Sequence, residues 1–403
     1  MTAVAADRIT SAAHARAAAT SLAAEFAVEA ARRDRARELP YREVDRLSAS
    51  GLLAITVPAE FGGADLPPSQ VAEVLRVLAA ADPNIAQIPH SHFVYLNLLR
   101  LAGTRRQQEL YFERVLAGGR IANAQSERGG ATVAEVNTTL IPQADGHFRV
   151  DGVKYYCTGS LFADVLAVLT RLDDPAHRGD LAPGEYIVFL PATTAGVRVI
   201  DDWNGIGQRT TGSGTVSLSG VDVARDQLVP RAGAVRAPKG FGSYAQLLHV
   251  AIDAGIARGA LDAAAEFVRT RSRPWFEAGV DRAVDDPLLI QRFGELAVAV
   301  TIAETTLDAA GRAVDRAITG PDAAADASIA VATAKITADR AANEVTSALF
   351  EVSGTRSAAA DLNLDRFWRN ARTHTLHDPV RWKYQHIGRA VLTGTPPPLH
   401  GVI

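Results

Sequence analysis

The feature that most constrains this chain is a double change of hydrophobic period. From Ala12 to Leu116 apolar residues recur at helical spacing, as in Leu22, Phe26 and Ala30. From about residue 120 the pattern alternates, with Val216 and Leu218 set against Ser217 and Ser219, and past Gly240 long Ala-rich helical runs return. Across 403 residues this predicts an α+β protein in three parts. They are an N-terminal helical domain over 1–119, an all-β middle domain over 120–232, and a C-terminal domain built as a bundle of long helices over 233–403.

In the first part the periodicity predicts helices over 12–37, through Val44 and Leu47, and over 71–81, 88–102 and 105–116, the last closed by Gly118 and Gly119. The turn-formers of 52–69 predict a loop. In the second, Phe148 and Val150, the dipeptide Asp151-Gly152, then Val153 and Tyr155 read as two strands joined by a tight turn, because Asp-Gly tolerates positive φ. Further strands are expected over 164–171, 186–191, 197–200 and 215–223. In the third, helices are expected over 240–270, 287–318 and 322–352, with Gly354 as a cap.

The totals narrow the function. A net charge of −3 without a block of one sign gives no reason to expect nucleic acid or an anionic membrane as partner, so a small-molecule substrate is expected. Cys157, the single cysteine, cannot form an internal disulfide. The start MTAVAADRITSAAH lacks the basic and apolar regions of a signal peptide, and no stretch of about 18 apolar residues is free of charge. A cytoplasmic protein is expected.

Chemistry concentrates at 366–384, RFWRNARTHTLHDPVRWKY. His374 and His377 lack the Cys or Glu spacing of zinc or iron sites, so no metal is expected there. The stretch offers planar guanidinium cations for phosphate or flavin edges, imidazoles that titrate near neutral pH, and Pro379 to end a helix. GSG at 212–214 is no dinucleotide fingerprint and there is no P-loop. A Ser160, His377, Asp378 hydrolase lacks a nucleophile elbow.

Four words carry a resemblance: GLLAITVPAEFGG at 51–63, IANAQSE at 121–127, GVKYYCTGSLFAD at 152–164 and GIGQRTTGSG at 205–214. In this order they resemble segments of acyl-CoA dehydrogenases, which implies an α+β fold with an N-terminal helical domain, a middle β-barrel or sandwich domain and a C-terminal four-helix bundle domain. Those enzymes carry an Arg-Asp-Ala segment and then a Glu-Gly-Thr turn whose Glu is often the base; here RNAR at 369–372 is followed by LHDP. With TRSRPW at 270–275, the tail resembles the flavin-dependent monooxygenases of the same fold, the dibenzothiophene monooxygenases and sulfur-acquisition oxidoreductases.

The resemblance implies a two-component enzyme, a cytoplasmic homotetramer that takes reduced FMN from a separate NAD(P)H-dependent flavin reductase. It would oxygenate a small organosulfur compound with O2 through a C4a-hydroperoxyflavin. It also implies the site: His377 as main proton donor and acceptor with Asp378 beside it in the catalytic set, His92 as second with His90 its competitor, and Thr158 near flavin N5. Asn123 and Ser126 would meet the pyrimidine edge, Trp203 would offer a flat face, and Arg271 and Arg273, with Arg369 and Arg372, would reach the phosphate. Trp368, Trp382 and Tyr384 are assigned to packing and subunit contact. The competing expectation is an FAD-dependent acyl-CoA dehydrogenase with Asp378 as base.

Overall fold

The computed structural model describes residues 6–130, 132, 134–177 and 179–400. The N-terminal helices are α1 Ala12–Ala36, α2 Tyr41–Ala49, α3 Pro68–Ala81, α4 Pro83–Gln87, α5 His90–Ala102 and α6 Arg105–Leu116. Their ends follow local chemistry. Ser11 accepts from His14 N at the start of α1, which stops where Arg37 turns left-handed, and Thr104 with Gln107 forms a capping box on α6. The segment between α2 and α3 holds two short 3₁₀ turns, Leu52–Ala54 and Ala59–Phe61. The run expected as one helix over 88–102 starts at His90, because the Ile88-Pro89 turn separates α4 from α5.

The middle part is an eight-stranded curled sheet: β1 Ile121–Ala124, β2 Thr139–Pro142, β3 Phe148–Lys154, β4 Val165–Leu172, β5 Glu185–Pro191, β6 Val197–Ile200, β7 Thr215–Val223 and β8 Leu228–Pro230. The order is β6-β7-β3-β2-β4-β5-β8, with β1 pairing parallel to β4. One expectation is corrected here. Asp151-Gly152 is not a hairpin turn: β3 runs straight through it against β7, with the register shifting between Val150 and Gly152 as at a bulge. Glycine is needed there for close approach, since a Cβ would lie 2.3 Å from Thr138 Oγ1. The real hairpin joins β2 to β3 around Gly146, whose φ is +84°.

After α7 Arg231–Arg236, the C-terminal part is built on α8 Phe241–Arg271, α9 Pro287–Arg316 and α10 Pro321–Ser353, followed by α11 Asp365–His374 and α12 Arg381–Thr393. Helix α8 is buried on all sides over 241–257, as expected for the central helix of a bundle. Small residues let it approach α3 closely: a Cβ at Gly259 would lie 2.2 Å from Ala80 O. One continuous apolar core joins the N-terminal helices, the bundle and one face of the sheet, through Ile121, Val165, Ala167 and Phe189. The other face, with Ala122, Ala124, Leu140 and Val168, has its own core. The edge where the two cores meet positions the site.

Candidate active site

The chain breaks between α11 and α12, and the break brings the tail against the central helix. His377 lies in the connection, His374 ends α11, His249 belongs to α8 and His90 opens α5. These four rings form one cluster. His249 stacks on His90 with centroids 3.8 Å apart and on His377 at 3.7 Å. His249 Nδ1 lies 3.1 Å from His374 Nε2, and His374 Nδ1 lies 2.5 Å from Asp253 Oδ1. His90 Nε2 is 2.9 Å from Ala245 O, so that nitrogen carries the proton and donates it. Burial holds His90 neutral with a pKa near 3, and His377 and His374 lower it further. His249 is pushed well below the ordinary value by burial and then by His377 and His90. His377 is the ring open to solvent, 39% exposed.

A charged network backs the cluster. Lys335 on α10 is fully buried between Asp253 at 2.9 Å and Asp339 at 2.5 Å. Burial alone would raise the Asp253 pKa, but His374 and Lys335 more than offset this and keep it an ionised carboxylate. Asp339 is pushed up by burial to about 8. Asp378 is 5% exposed, 2.9 Å from Lys383 Nζ and 3.6 Å from His377 Nδ1. Its burial opposes ionisation, yet His377, Lys335 and Lys383 together hold it well below the usual carboxylate range.

The sheet meets this cluster through the α4–α5 turn. A Cβ at Gly159 would lie 3.1 Å from Ile88 O and 3.6 Å from Ala122 Cβ, so Thr158 and Asn123 stand beside the turn that leads into His90. Thr158 Oγ1 is 2.8 Å from Ser213 Oγ, which is 2.6 Å from Thr211 Oγ1, and Thr211 donates to Gln208 O at 2.9 Å, so the donors of this chain of hydroxyls run toward that carbonyl. Asn123 donates weakly to Tyr156 O at 3.4 Å, and its Oδ1 is buried without a partner. Gln246 Oε1, next to Ala245 on α8, is equally orphaned. Buried unpaired amide oxygens are costly and point to a missing donor. Trp203 is half-buried, donates Nε1 to Gln208 O at 2.7 Å and lies 6.0 Å from Tyr156. A ring system that alternates donors and acceptors on one edge, as flavin does, fits this set.

The loop over 203–214 is pinned from the tail. Gln208 N donates to Asn370 Oδ1 at 2.7 Å, Thr210 N to Asn84 Oδ1 at 3.2 Å, and Gly207 packs so closely that a Cβ would sit 1.9 Å from Arg369 O. Arg369 itself is committed. It binds Asp34 at 2.6 Å, Asp365 at 2.7 Å, Asn363 at 3.0 Å and Ile206 O at 3.1 Å, which corrects its expected role as a phosphate ligand.

His92 is also corrected. It is buried, its Nε2 donates to Leu53 O at 2.8 Å and its Nδ1 accepts from Ile121 N at 3.1 Å, leaving no nitrogen to face a ligand. It ties the N-terminal helices to β1. Arg372 is half-buried and reaches Thr375 Oγ1 at 3.4 Å, and Ser126 accepts from Tyr155 N through its carbonyl. Ser160 is buried and donates to Gly212 O rather than to a histidine. Arg271 and Arg273 are exposed and distant: the residues from His249 to Arg271 on one helix span roughly 33 Å at about 1.5 Å each. Within one chain they do not join the cluster.

Sequence reading missed His249, Asp253, Lys335 and Asp339. The available signal was polar residues four apart, His249 with Asp253 and Lys335 with Asp339, inside otherwise apolar helical faces. Among the described residues, no helix is long and apolar enough to cross a membrane.

Family models for the acyl-CoA dehydrogenase N-terminal, middle and C-terminal domains match residues 11–119, 122–221 and 247–382. The dibenzothiophene monooxygenase of Rhodococcus qingshengii is 33% identical over 395 residues, covering 94% of this chain and 93% of its own. A probable FMNH2-dependent monooxygenase of Pseudomonas putida is 32% identical over 389 residues, covering 94% and 95%. The crystal structure of the Paenibacillus dibenzothiophene monooxygenase with FMN and indole superposes with a TM-score of 0.90 at 34% identity, covering 96% of this chain and 99% of that one. With its three-part fold and histidine-bearing tail, this chain belongs to the acyl-CoA dehydrogenase family and, within it, to the flavin-dependent monooxygenases that include dibenzothiophene monooxygenase.

Proposed function

We propose that the chain is the oxygenase of a two-component system, using reduced FMN and O2 to oxygenate a small organosulfur compound. The observation that carries this reading over an acyl-CoA dehydrogenase is the state of Asp378. A base that removes an α-proton needs a pKa near the working pH and access to substrate. Asp378 has neither, being 5% exposed, paired with Lys383 and held strongly ionised. What the tail presents instead is an open imidazole, His377, stacked on buried His249.

Reduced FMN, when bound, supplies the electrons that activate O2. Asn123, Thr158 and Ser213 would hold the polar edge of its ring, and Trp203 would cover a face. The 203–214 loop, pinned by Asn370 and Asn84, fixes that wall. His377 would donate and recover a proton at Nε2, with the Asp378 carboxylate 3.6 Å from its Nδ1. Burial of His90 and His249 keeps water and charge away from the reacting centre.

A homotetramer is part of the same reading. Trp275, Phe276, Leu288 and Ile290 are exposed beside Arg271 and Arg273, as are Trp382, Val391 and Leu392 on α12. In an assembly those arginines would serve the flavin phosphate of a neighbouring copy. The reduced flavin would come from a separate NAD(P)H-dependent reductase in the cytoplasm.

The test mixes purified protein with FMN, a flavin reductase, NADH and air, and follows a panel of sulfides, sulfones, sulfinates and thiophenes by mass spectrometry with ¹⁸O2. Label in one product supports the reading. Absence of any labelled product sinks the substrate class, and a protein that retains FAD and bleaches with an acyl-CoA would establish the dehydrogenase instead.

A further inference from the structure

We propose that Asp253 and His374 form a buried relay that loads and unloads a proton on His249, making them positioning residues for the site's proton chemistry. The proposal rests on the monooxygenase reading for its purpose and on geometry for its existence. Asp253 Oδ1, 2.5 Å from His374 Nδ1, is an acceptor only, so it fixes the proton on that nitrogen. His374 Nε2 and His249 Nδ1, 3.1 Å apart, must then share one proton between them. Two states follow.

In the first, His249 Nδ1 donates to His374 Nε2, both rings are neutral, and His249 Nε2 is a bare lone pair. That nitrogen makes no hydrogen bond among the described residues. In the second, a proton has arrived at His249 Nε2 and the Nδ1 proton has passed to His374 Nε2. One proton enters and none is lost, so the positive charge rests on His374 and not on His249.

The surroundings explain why charge is carried away. Within the stack, His249 has His90 of α5 at 3.8 Å and His377 of the α11–α12 connection at 3.7 Å, and it is 2% exposed. A cation there would face two other rings and no solvent. At His374 the same charge faces the Asp253 carboxylate, whose other oxygen is held by Lys335 of α10. Lys335 is held by both Asp253 and Asp339, and Lys383 of α12 pairs with Asp378, so each nearby cation lies against a carboxyl partner. His90 cannot replace His249 as the relay's end, because its Nε2 proton is committed to Ala245 O.

The experiment uses full-length protein, wild type and two variants, Asp253→Asn and His374→Gln. The glutamine can donate to Asp253 and accept from His249 but cannot carry a proton, so it separates relay from scaffolding and decides the matter if Asp253→Asn fails to fold. Without flavin, NMR of ¹⁵N-histidine-labelled protein is expected to show one strongly downfield imidazole proton in wild type, lost in Asp253→Asn. With reduced FMN and O2 but no organic substrate, stopped-flow flavin oxidation is expected to slow on the order of 10²-fold in both variants and to change its pH profile, with FMN affinity retained. A wild-type spectrum without the downfield proton, or variants whose rates and pH profiles match wild type, would overturn the relay. Failure to oxygenate any sulfur compound would remove the monooxygenase reading, while the flavin-free spectrum would still decide the relay.

Discussion

Replacing Arg369 by methionine separates the two roles that a tail arginine can have in this fold. Its guanidinium lies between Asp34 of α1, Asp365 of its own helix and the carbonyl of Ile206 in the 203–214 loop, with its side chain 14% exposed and that of Asp34 only 3% exposed. Methionine keeps most of the volume and removes every donor. Asp34 would keep Asn363 Nδ2 at 2.8 Å but lose the cation it pairs with in a buried setting. Breaking a buried pair from one side typically costs about 3–5 kcal/mol, because the remaining charge is left desolvated. With about 2 cal/mol/K of unfolding entropy per residue over 403 residues, that lowers Tm by roughly 4–6 °C if the chain melts as one unit. The assay is calorimetry of the flavin-free protein alongside FMN titration by fluorescence quenching. Unchanged Tm with FMN affinity reduced by tenfold or more, on the order expected for a lost charged phosphate contact, would refute the staple and restore Arg369 as a ligand.

Three further outcomes are expected. His90 and His92, with pKa values near 3 and 4 against an ordinary 6.5, bind fewer protons folded than unfolded. Stability should therefore fall as pH drops from about 6.5 toward 4, by up to about 1.4 kcal/mol per pH unit for each, and a flat urea midpoint across that window would contradict their burial as neutral rings. His377→Ala should keep FMN affinity while turnover falls on the order of 10²-fold or more, and steady-state kinetics with unaltered kcat would move the proton chemistry elsewhere. Gly207→Ala puts a methyl 1.9 Å from Arg369 O and should push the 203–214 loop off α11; FMN affinity equal to wild type would show that this loop does not form the flavin wall.

The architecture was legible because it is written in periodicity and in local chemistry. A helix of 31 residues such as α8, or the alternation along β7, leaves its mark in a short window. The tail stood out as a candidate site because LHDP stands where the resemblance to acyl-CoA dehydrogenases leads one to expect a Glu-Gly-Thr turn. Asp151-Gly152 misled because the same dipeptide suits a tight turn and a bulge, and only the approach of Thr138, just ahead of β2, distinguishes them. His92 and Arg369 misled in a different way. Residue type states what a side chain can bind, and both found their partners inside the protein, Leu53 with Ile121 and Asp34 with Ile206, up to 335 residues away.

By itself, then, the sequence determined the three-part order, the extent of the long helices and the replacement of the dehydrogenase turn, all of which depend on neighbours in the chain. Tertiary structure alone decided which imidazoles share protons and which carboxylates stay charged. His90, His249, His374 and His377 come from three helices and a connection, and their stacking, with Asp253 and Lys335 behind them, exists only once α5, α8, α10 and α11 are packed. Ionisation in a protein interior is set by burial and by charges a few ångströms away, and such distances are not a property of sequence spacing.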